Sequence, residues 1–189
     1  PKYAIDSYLE NNYQTIFGII VMPATVIGLV AQFLIHPYLN QIVALYEEKN
    51  LKGLNKLALK LIIYILGVGV ISSILAYFLG TQVLGLIYGL DLSAYRLGLL
   101  IIIIASTLYT IGVIYSSILT TVRETFSQFI IYIIMSIFAY IVANACTRAG
   151  QINGAVISYL LIMAMQFLIY TIYTNIKLRV IFNKEKIEK

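Results

Sequence analysis

Residues 97–122 read LGLLIIIIASTLYTIGVIYSSILTTV and contain no Asp, Glu, Lys or Arg. A helix needs about 20 apolar residues to cross a hydrocarbon core about 30 Å thick, so this stretch is long enough to span a membrane. Four other stretches share its lack of charge and its length, and they comprise residues 11–46, 61–90, 125–147 and 149–176. This pattern predicts a polytopic membrane protein.

The composition supports the same conclusion. Apolar residues make up 61% of the 189-residue chain and charged residues 11%, compared with about 45–50% and 25% in soluble domains. Within a bilayer the backbone must pair its own polar groups, which leaves helices and closed barrels. The uncharged stretches are much longer than the roughly 10-residue strands of a membrane barrel. We therefore predict an all-α transmembrane helix bundle.

The bundle is expected to form a single domain of five spanning helices and one short interfacial helix. We place the spans at about residues 15–37, 56–79, 95–120, 125–147 and 152–176. The interfacial linker covers residues 38–55, where apolar side chains recur at helical spacing until Lys52 and Gly53 break the helix. Because the turns between the last three spans are short, these helices are expected to be antiparallel neighbours.

Lys and Arg residues predict the orientation of the chain. One side carries Lys49, Lys52, Lys56, Lys60, Arg123, Lys177, Arg179, Lys184, Lys186 and Lys189, and the other carries Lys2, Arg96 and Arg148. Cytoplasmic loops carry the excess of basic residues, so Pro1 is expected outside and the basic tail, 177–189, in the cytoplasm beside the plasma membrane. The net charge of +5 is assigned to contact with anionic lipid, and no nucleic-acid partner is expected.

The first span carries most of the candidate transport residues. Pro23 removes a backbone donor from the helix interior, so we predict a hinge there. Thr25, Gln32 and His36 lie on one face, which indicates either a wet cavity or packing against other helices. His36 is alternatively an interfacial hydrogen-bonding residue. Arg123 is a further cavity candidate because its guanidinium group suits phosphate, although arginine at a span end also serves as an interfacial anchor.

Other polar residues give no indication of catalysis. Ser106, Thr110, Ser117 and Thr121 form a stripe on the third span, which we interpret as a packing seam. The sequence has no metal-ligand cluster, phosphate-binding glycine loop or nucleophile motif, and no span contains a carboxylate. The single Cys146 rules out a disulfide within the chain. We expect neither enzymatic activity nor a cofactor or metal.

Four stretches resemble a known family of transporters. They read PKYAIDSYLENNYQTIFGIIVMPATVIGLVAQFLIHPYL (1–39), LIYGLDLSAY (86–95), SSILTTVRETF (116–126) and RAGQINGAVISYL (148–160). The chain resembles the later part of polysaccharide-export flippases, the lipopolysaccharide or capsular polysaccharide biosynthesis proteins of the multidrug/oligosaccharidyl-lipid/polysaccharide exporter superfamily. The first stretch resembles the start of the family's late half. The others resemble its glycine-bearing outer segment, its short basic turn and the start of its next helix.

The resemblance implies a two-lobed exporter that moves a lipid-linked oligosaccharide, a repeat unit on a polyprenyl diphosphate, by alternating access. It implies an amphipathic linker at 38–55 and a first span that lines the central cavity, which favours Thr25, Gln32 and His36. The chain begins at Pro1 rather than Met, and we expect a missing N-terminal half or a partner subunit to complete the cavity. That cavity is typically basic, whereas the first span has no Lys or Arg, so the charge is expected from the other half.

Three alternative functions remain open at this point. The first is a drug or ion exporter of the same superfamily. The second is a membrane-embedded glycan polymerase or ligase, although those enzymes usually carry a large external loop that this chain lacks. The third is an accessory membrane subunit.

Overall fold

The computed structural model describes residues 1–9 and 11–187, with side chains for all of these except 11 and 183–187. Every regular element among them is helical, which confirms the all-α class. The α-helices are α1 (Lys2–Tyr8), α2 (Asn11–Ile35), α3 (Leu39–Glu47), α4 (Leu51–Leu75), α5 (Thr81–Tyr88), α6 (Arg96–Thr121) and α7 (Thr125–Ile187). The predicted tail residues Lys184, Lys186 and Lys189 lie outside the described side chains.

Four helical segments are long and apolar enough to cross a membrane, which agrees with a multi-pass membrane protein. They comprise Asn12–Glu47, Leu51–Tyr88, Ser93–Thr121 and Thr125–Phe182. Large apolar side chains such as Phe33, Ile71 and Tyr140 are exposed on the outside of the bundle. Such a surface would be covered by lipid, because lipid tails solvate apolar side chains as well as a protein core does.

Helix α7 consists of two antiparallel arms joined by a sharp turn. Gly150 (φ −129°, ψ 16°) and Gln151 (φ 49°, ψ −130°) leave the helical conformation. The first arm comprises residues 125–149 and the second arm residues 152–187. Tyr173 Oη donates a hydrogen bond to Ser127 Oγ at 2.7 Å, and these two residues lie at equal distances from the turn along the chain. The arms therefore run back along each other, as predicted for the last two spans.

Helix α6 lies at the centre of the bundle. In its most apolar part 56% of the residues are buried, against 33%, 22% and 17% in the other three segments. Three clusters surround it. Ile102 packs with α2 and the second arm of α7, Ile114 with α3 and α4, and Leu119 with both arms of α7. Helix α2 and the second arm of α7 therefore both pack against α6 through one apolar core, which sets their positions relative to each other.

A tight turn joins α3 to α4. Lys49 adopts φ 56°, and Asn50 Oδ1 caps α4 by accepting a hydrogen bond from Gly53 N at 2.8 Å. A Cβ atom on Gly53 would lie 2.7 Å from Leu45 Cδ2 and 2.9 Å from Asn50 Cγ, so a larger residue here would require these side chains to move. The predicted break at Lys52 and Gly53 is therefore wrong by a few residues: the chain leaves the helix around Lys49, and α4 begins at Leu51 rather than at 56.

Candidate functional site

A cleft of about 170 Å³, lined by apolar surface and several hydroxyl groups, lies between α2, α6 and the second arm of α7. It is lined by Ala24, Thr25, Gly28, Ser106, Tyr109, Thr110, Tyr159 and Met163. Five of these residues carry a hydroxyl group and none carries a charge. A hydroxyl group both donates and accepts hydrogen bonds, so the cleft offers neutral hydrogen-bonding groups within a mainly apolar lining. All three walls come from long apolar helices.

The α2 wall of the cleft contains a weakened helical turn. Pro23 has no N–H and leaves the carbonyl of Ile19 without its usual donor. Two residues later, Thr25 Oγ1 donates to the carbonyl of Met22 at 2.6 Å, and back-bonding of this kind often bends helices. Helix α2 nevertheless continues to Ile35. Bending is therefore least costly at the turn that borders the cleft.

The α6 wall presents hydroxyl groups with free lone pairs. Ser106 Oγ donates to the carbonyl of Ile102, and Thr110 Oγ1 donates to the carbonyl of Ser106, both at 2.9 Å. Across the cleft, Tyr159 Oη lies 3.4 Å from Ser106 Oγ, which is a long contact for two hydroxyl groups. Tyr159 thus has a proton available for a stronger acceptor, while Ser106 and Thr110 can accept hydrogen bonds.

Gly28 keeps the cleft open on the side of α2. A Cβ atom built on Gly28 would have no other atom within 4 Å apart from its own helix. A Cβ atom at this position therefore enters open space. Because Gly28 is one of the residues that line the cleft, a larger side chain there would reduce the cleft volume.

An apolar groove of about 440 Å³ lies on the other side of the same turn of α2. One wall belongs to α2 and comprises Met22, Pro23, Val26 and Ile27. The rest comes from α4, α5, α6 and the π-helical turn Ala76–Gly80 between α4 and α5, and it is apolar except for the hydroxyl groups of Ser72 and Tyr88. Tyr88 Oη donates to Met22 Sδ at 2.8 Å and links α5 to α2. The rim includes Ile87, which is 63% exposed, so the groove is open at the lipid-facing surface and can accommodate a hydrocarbon chain.

The structure separates the residues that the sequence suggests for a cavity. Thr25 lines the cleft and Pro23 lines the groove. Gln32 is exposed and lies two turns further along α2, roughly 10 Å from Thr25 along the axis. His36 and Arg123 are exposed at one end of the bundle, His36 in a 3-10 turn after α2 and Arg123 in the turn after α6. Gln32, His36 and Arg123 line neither the cleft nor the groove.

Four residues of the cleft have no predicted role in a site. Ser106 and Thr110 are half of the predicted packing seam, and they serve both packing and the cleft. Tyr109 and Tyr159 are not singled out by the sequence because tyrosines are frequent throughout this chain. Their position in the sequence could have identified them. Both lie inside a predicted span, whereas tyrosines of membrane proteins concentrate at the membrane interfaces.

Comparison with known proteins gives no match, since no family model, curated protein or solved structure corresponds to this chain. The class of the protein is therefore defined by its own helices, which are long and apolar enough for several membrane crossings. Among the residues that the structure describes, no group of three His, Cys, Asp or Glu side chains converges in a way that could hold a metal ion.

Proposed function

We propose that this chain forms part of a membrane exporter that moves a lipid-linked oligosaccharide across the plasma membrane by alternating access. The observation that carries this proposal is the position of the hydroxyl-bearing cleft and the apolar groove on two sides of the Pro23 turn of α2. A lipid with a sugar headgroup needs both kinds of surface within one molecular length. The sequence resemblance to polysaccharide-export flippases supports the same substrate class.

The hydroxyl groups of the cleft suit the sugar portion of such a substrate. Thr25, Tyr109 and Tyr159 offer neutral hydrogen-bonding groups at membrane depth, where water does not compete strongly. No Lys or Arg lines the cleft, so a diphosphate would be neutralised by the N-terminal half or partner subunit that the resemblance implies. Neither space is lined by Asp, Glu, His or Cys, which favours transport over acid–base catalysis.

The proposal includes a topology of five spans. Helices α2, α4 and α6 and the two arms of α7 each cross the bilayer, and α3 lies in the cytoplasmic interface. Ile42 of α3 is buried against the bundle while Gln41 and Val43 are exposed, as suits a helix lying on a surface. With the excess of Lys and Arg in the cytoplasm, Pro1 lies outside and the second arm of α7 ends inside.

The test is to fill the cleft in the full-length protein and to measure movement of the substrate. Vesicles containing the protein and a fluorescent polyprenyl-diphosphate oligosaccharide are exposed to a membrane-impermeant quencher. Gly28→Leu should slow exchange of the headgroup between leaflets by about tenfold or more, as expected if filling the cleft raises the barrier by about 1.4 kcal/mol. Gly28→Ala is the matched control, because a Cβ alone enters open space.

Two results would contradict the proposal. Wild-type rates in Gly28→Leu would show that the substrate does not pass through the cleft. Transport of a fluorescent drug cation, with no movement of the lipid-linked oligosaccharide, would favour the drug-exporter alternative. The uncharged lining of the cleft is the one observation that favours that alternative, since such a cleft provides no positive group to bind a diphosphate.

A further inference from the structure

A third pocket, of about 290 Å³, lies at the junction of α3 and α4, at the opposite end of α4 from the apolar groove. It is lined by Gln41, Leu45, Gly53, Lys56, Leu57 and Lys60. Its volume is at the lower end of the roughly 300–1,000 Å³ that is usual for small-molecule sites. A pocket of this size suits a group as small as a lipid headgroup.

The pocket has an uncompensated positive charge. Lys56 and Lys60 lie one helical turn apart, no Asp or Glu lines the pocket, and neither lysine has a carboxylate partner among the described residues. Two ammonium groups at this spacing repel each other. An anion bound between them would remove that repulsion, and Gln41 adds an amide that can donate a hydrogen bond to it.

Aromatic rings hold one of the two lysines in place. Lys60 Nζ lies 5.4 Å from the ring centroid of Tyr38 and 5.7 Å from that of Tyr64. A cation–π contact positions the ammonium group without neutralising it. Lys60 is therefore oriented by the protein while its charge remains available to a ligand.

The position of the pocket along α4 indicates where the ligand comes from. Lys60 is the last charged residue before the uncharged stretch 61–90, so it marks the depth at which α4 enters the hydrocarbon. Lipid phosphates lie at this depth. Leu45 and Leu57 form part of the pocket wall and provide an apolar surface beside the two charges.

We propose that this pocket binds the phosphate of an anionic lipid headgroup. Lys56 and Lys60 contact the phosphate, Gln41 donates a hydrogen bond to it, and Leu45 and Leu57 contact the start of the lipid chains. Basic pockets between helices on the cytoplasmic side of membrane proteins suit this kind of lipid. The assignment to the cytoplasmic leaflet rests on the proposed orientation, whereas the binding itself does not depend on transport.

The experiment measures lipid binding directly. The full-length protein is purified in detergent, incubated with phosphatidylglycerol or phosphatidylcholine, and examined by native mass spectrometry for retained lipid. Wild type should retain phosphatidylglycerol preferentially. The double variant Lys56→Gln/Lys60→Gln should bind it about 30-fold more weakly, because each lysine near an anionic surface contributes roughly a fivefold preference.

Lys52→Gln/Arg179→Gln is the matched control, since it removes the same charge from exposed residues that do not line the pocket. This control should retain phosphatidylglycerol as wild type does, and Lys56→Arg/Lys60→Arg should also retain it. Equal loss in the pocket variant and the control would show only diffuse surface attraction and would overturn the proposal. Displacement of the lipid by millimolar inorganic phosphate would assign the pocket to the free ion and would overturn the lipid assignment.

Discussion

Gly69 determines how closely α4 approaches α6. A Cβ atom on Gly69 would lie 2.5 Å from both Cγ2 and Oγ1 of Thr107, and Thr107 is 7% exposed. The Thr107 side chain is branched at Cβ, and its hydroxyl donates to the carbonyl of Ile103 at 2.9 Å, so it cannot rotate away without losing that bond. The contact between the two spans therefore requires glycine at this position.

We predict that Gly69→Ala destabilises the bundle. Overpacking of a core contact costs about 1–3 kcal/mol, and each kcal/mol lowers the unfolding midpoint of a chain of this size by about 2–4 °C. The midpoint of thermal unfolding, followed by circular dichroism, should therefore fall by roughly 2–12 °C. Gly67→Ala on the same helix is the control, because its Cβ would meet nothing within 4 Å. That variant should be neutral or slightly stabilised, since alanine favours helix. Equal stability of the two variants would show that α4 can shift away from Thr107.

At the scale of single residues, the sequence indicates polar side chains but not their partners across helices. Pro23 and Thr25 stand out because proline and a small hydroxyl are unusual inside an apolar stretch. The contact between Tyr159 and Ser106 cannot be predicted from the sequence, because it depends on how α7 packs against α6. In the sequence, nothing distinguishes Ser106 from the other small hydroxyl residues of the packing seam, whose hydroxyl groups bond to carbonyls of their own helix.

Among the elements, α2 is the helix expected to bend. We predict that Pro23→Ala in the full-length protein restores the missing backbone donor, stiffens the turn beside the cleft and slows export several-fold, while insertion into the membrane is unchanged. Export is measured by the vesicle assay described above, and insertion by the amount of protein in the membrane fraction. Export at the wild-type rate would show that bending of α2 at Pro23 is not needed for transport.

A charged contact joins the second arm of α7 to Glu124, in the turn just before the first arm. Lys177 Nζ lies 2.9 Å from Glu124 Oε1, and Ser127 Oγ donates to Glu124 Oε2 at 2.9 Å. The hydrogen bond from Lys177, followed by that from Ser127, lowers the pKa of the Glu124 carboxyl group below its ordinary value. A lowered folded-state pKa stabilises the fold above the ordinary pKa of about 4.3, and this stabilisation is lost as the pH falls through the lower value.

Glu124→Gln should therefore reduce the dependence of stability on acidic pH. The fall in the unfolding midpoint between pH 7 and pH 3 should be smaller in the variant than in wild type, by at most about 3 °C, because a partly exposed ion pair contributes about 1 kcal/mol or less. Glu48→Gln removes an exposed carboxylate elsewhere and serves as the control. The same pH dependence in Glu124→Gln as in wild type would contradict a stabilising role for the contact.

At the turns after α6 and within α7 the predicted span ends lie within about two residues of the observed ones, whereas the start of α4 is misplaced. Lys49, Arg123 and Gln151 adopt φ angles of 56°, 61° and 49° at three of the turns between helical segments, and Gly89 has a φ of 67° at the turn after α5. At the end of α6, Arg123 N donates to the carbonyl of Thr120 and Glu124 N to that of Leu119, both at 3.1 Å. This is the hydrogen-bond pattern of a Schellman cap, which usually has glycine where Arg123 stands. The sequence offers no glycine at these three positions to mark the turns.

For the whole molecule, the sequence predicts the number of apolar stretches and their antiparallel order but not which one lies in the middle. All five stretches lack charge, so hydropathy cannot distinguish a helix surrounded by protein from one surrounded by lipid. The central position of α6 arises from close packing by Gly69 against Thr107 and by Gly112 against Phe167. Small residues at contacts of this kind are frequent in membrane bundles. Helix α6 carries ten Gly, Ala, Ser and Thr residues among its 26, more than any other span, which is a signal of its central position that hydropathy does not register.

The central position of α6 has a consequence for biosynthesis. Six of its Ser and Thr hydroxyl groups donate to carbonyls of the preceding turn of the same helix, and they belong to Ser106, Thr107, Thr110, Ser117, Thr120 and Thr121. A helix whose hydroxyl donors are satisfied internally can leave the translocon and rest in lipid before any neighbour is present. Helix α6 becomes the most buried span of the folded bundle. It can nevertheless remain in the lipid without neighbouring helices while the two arms of α7 are still being synthesised.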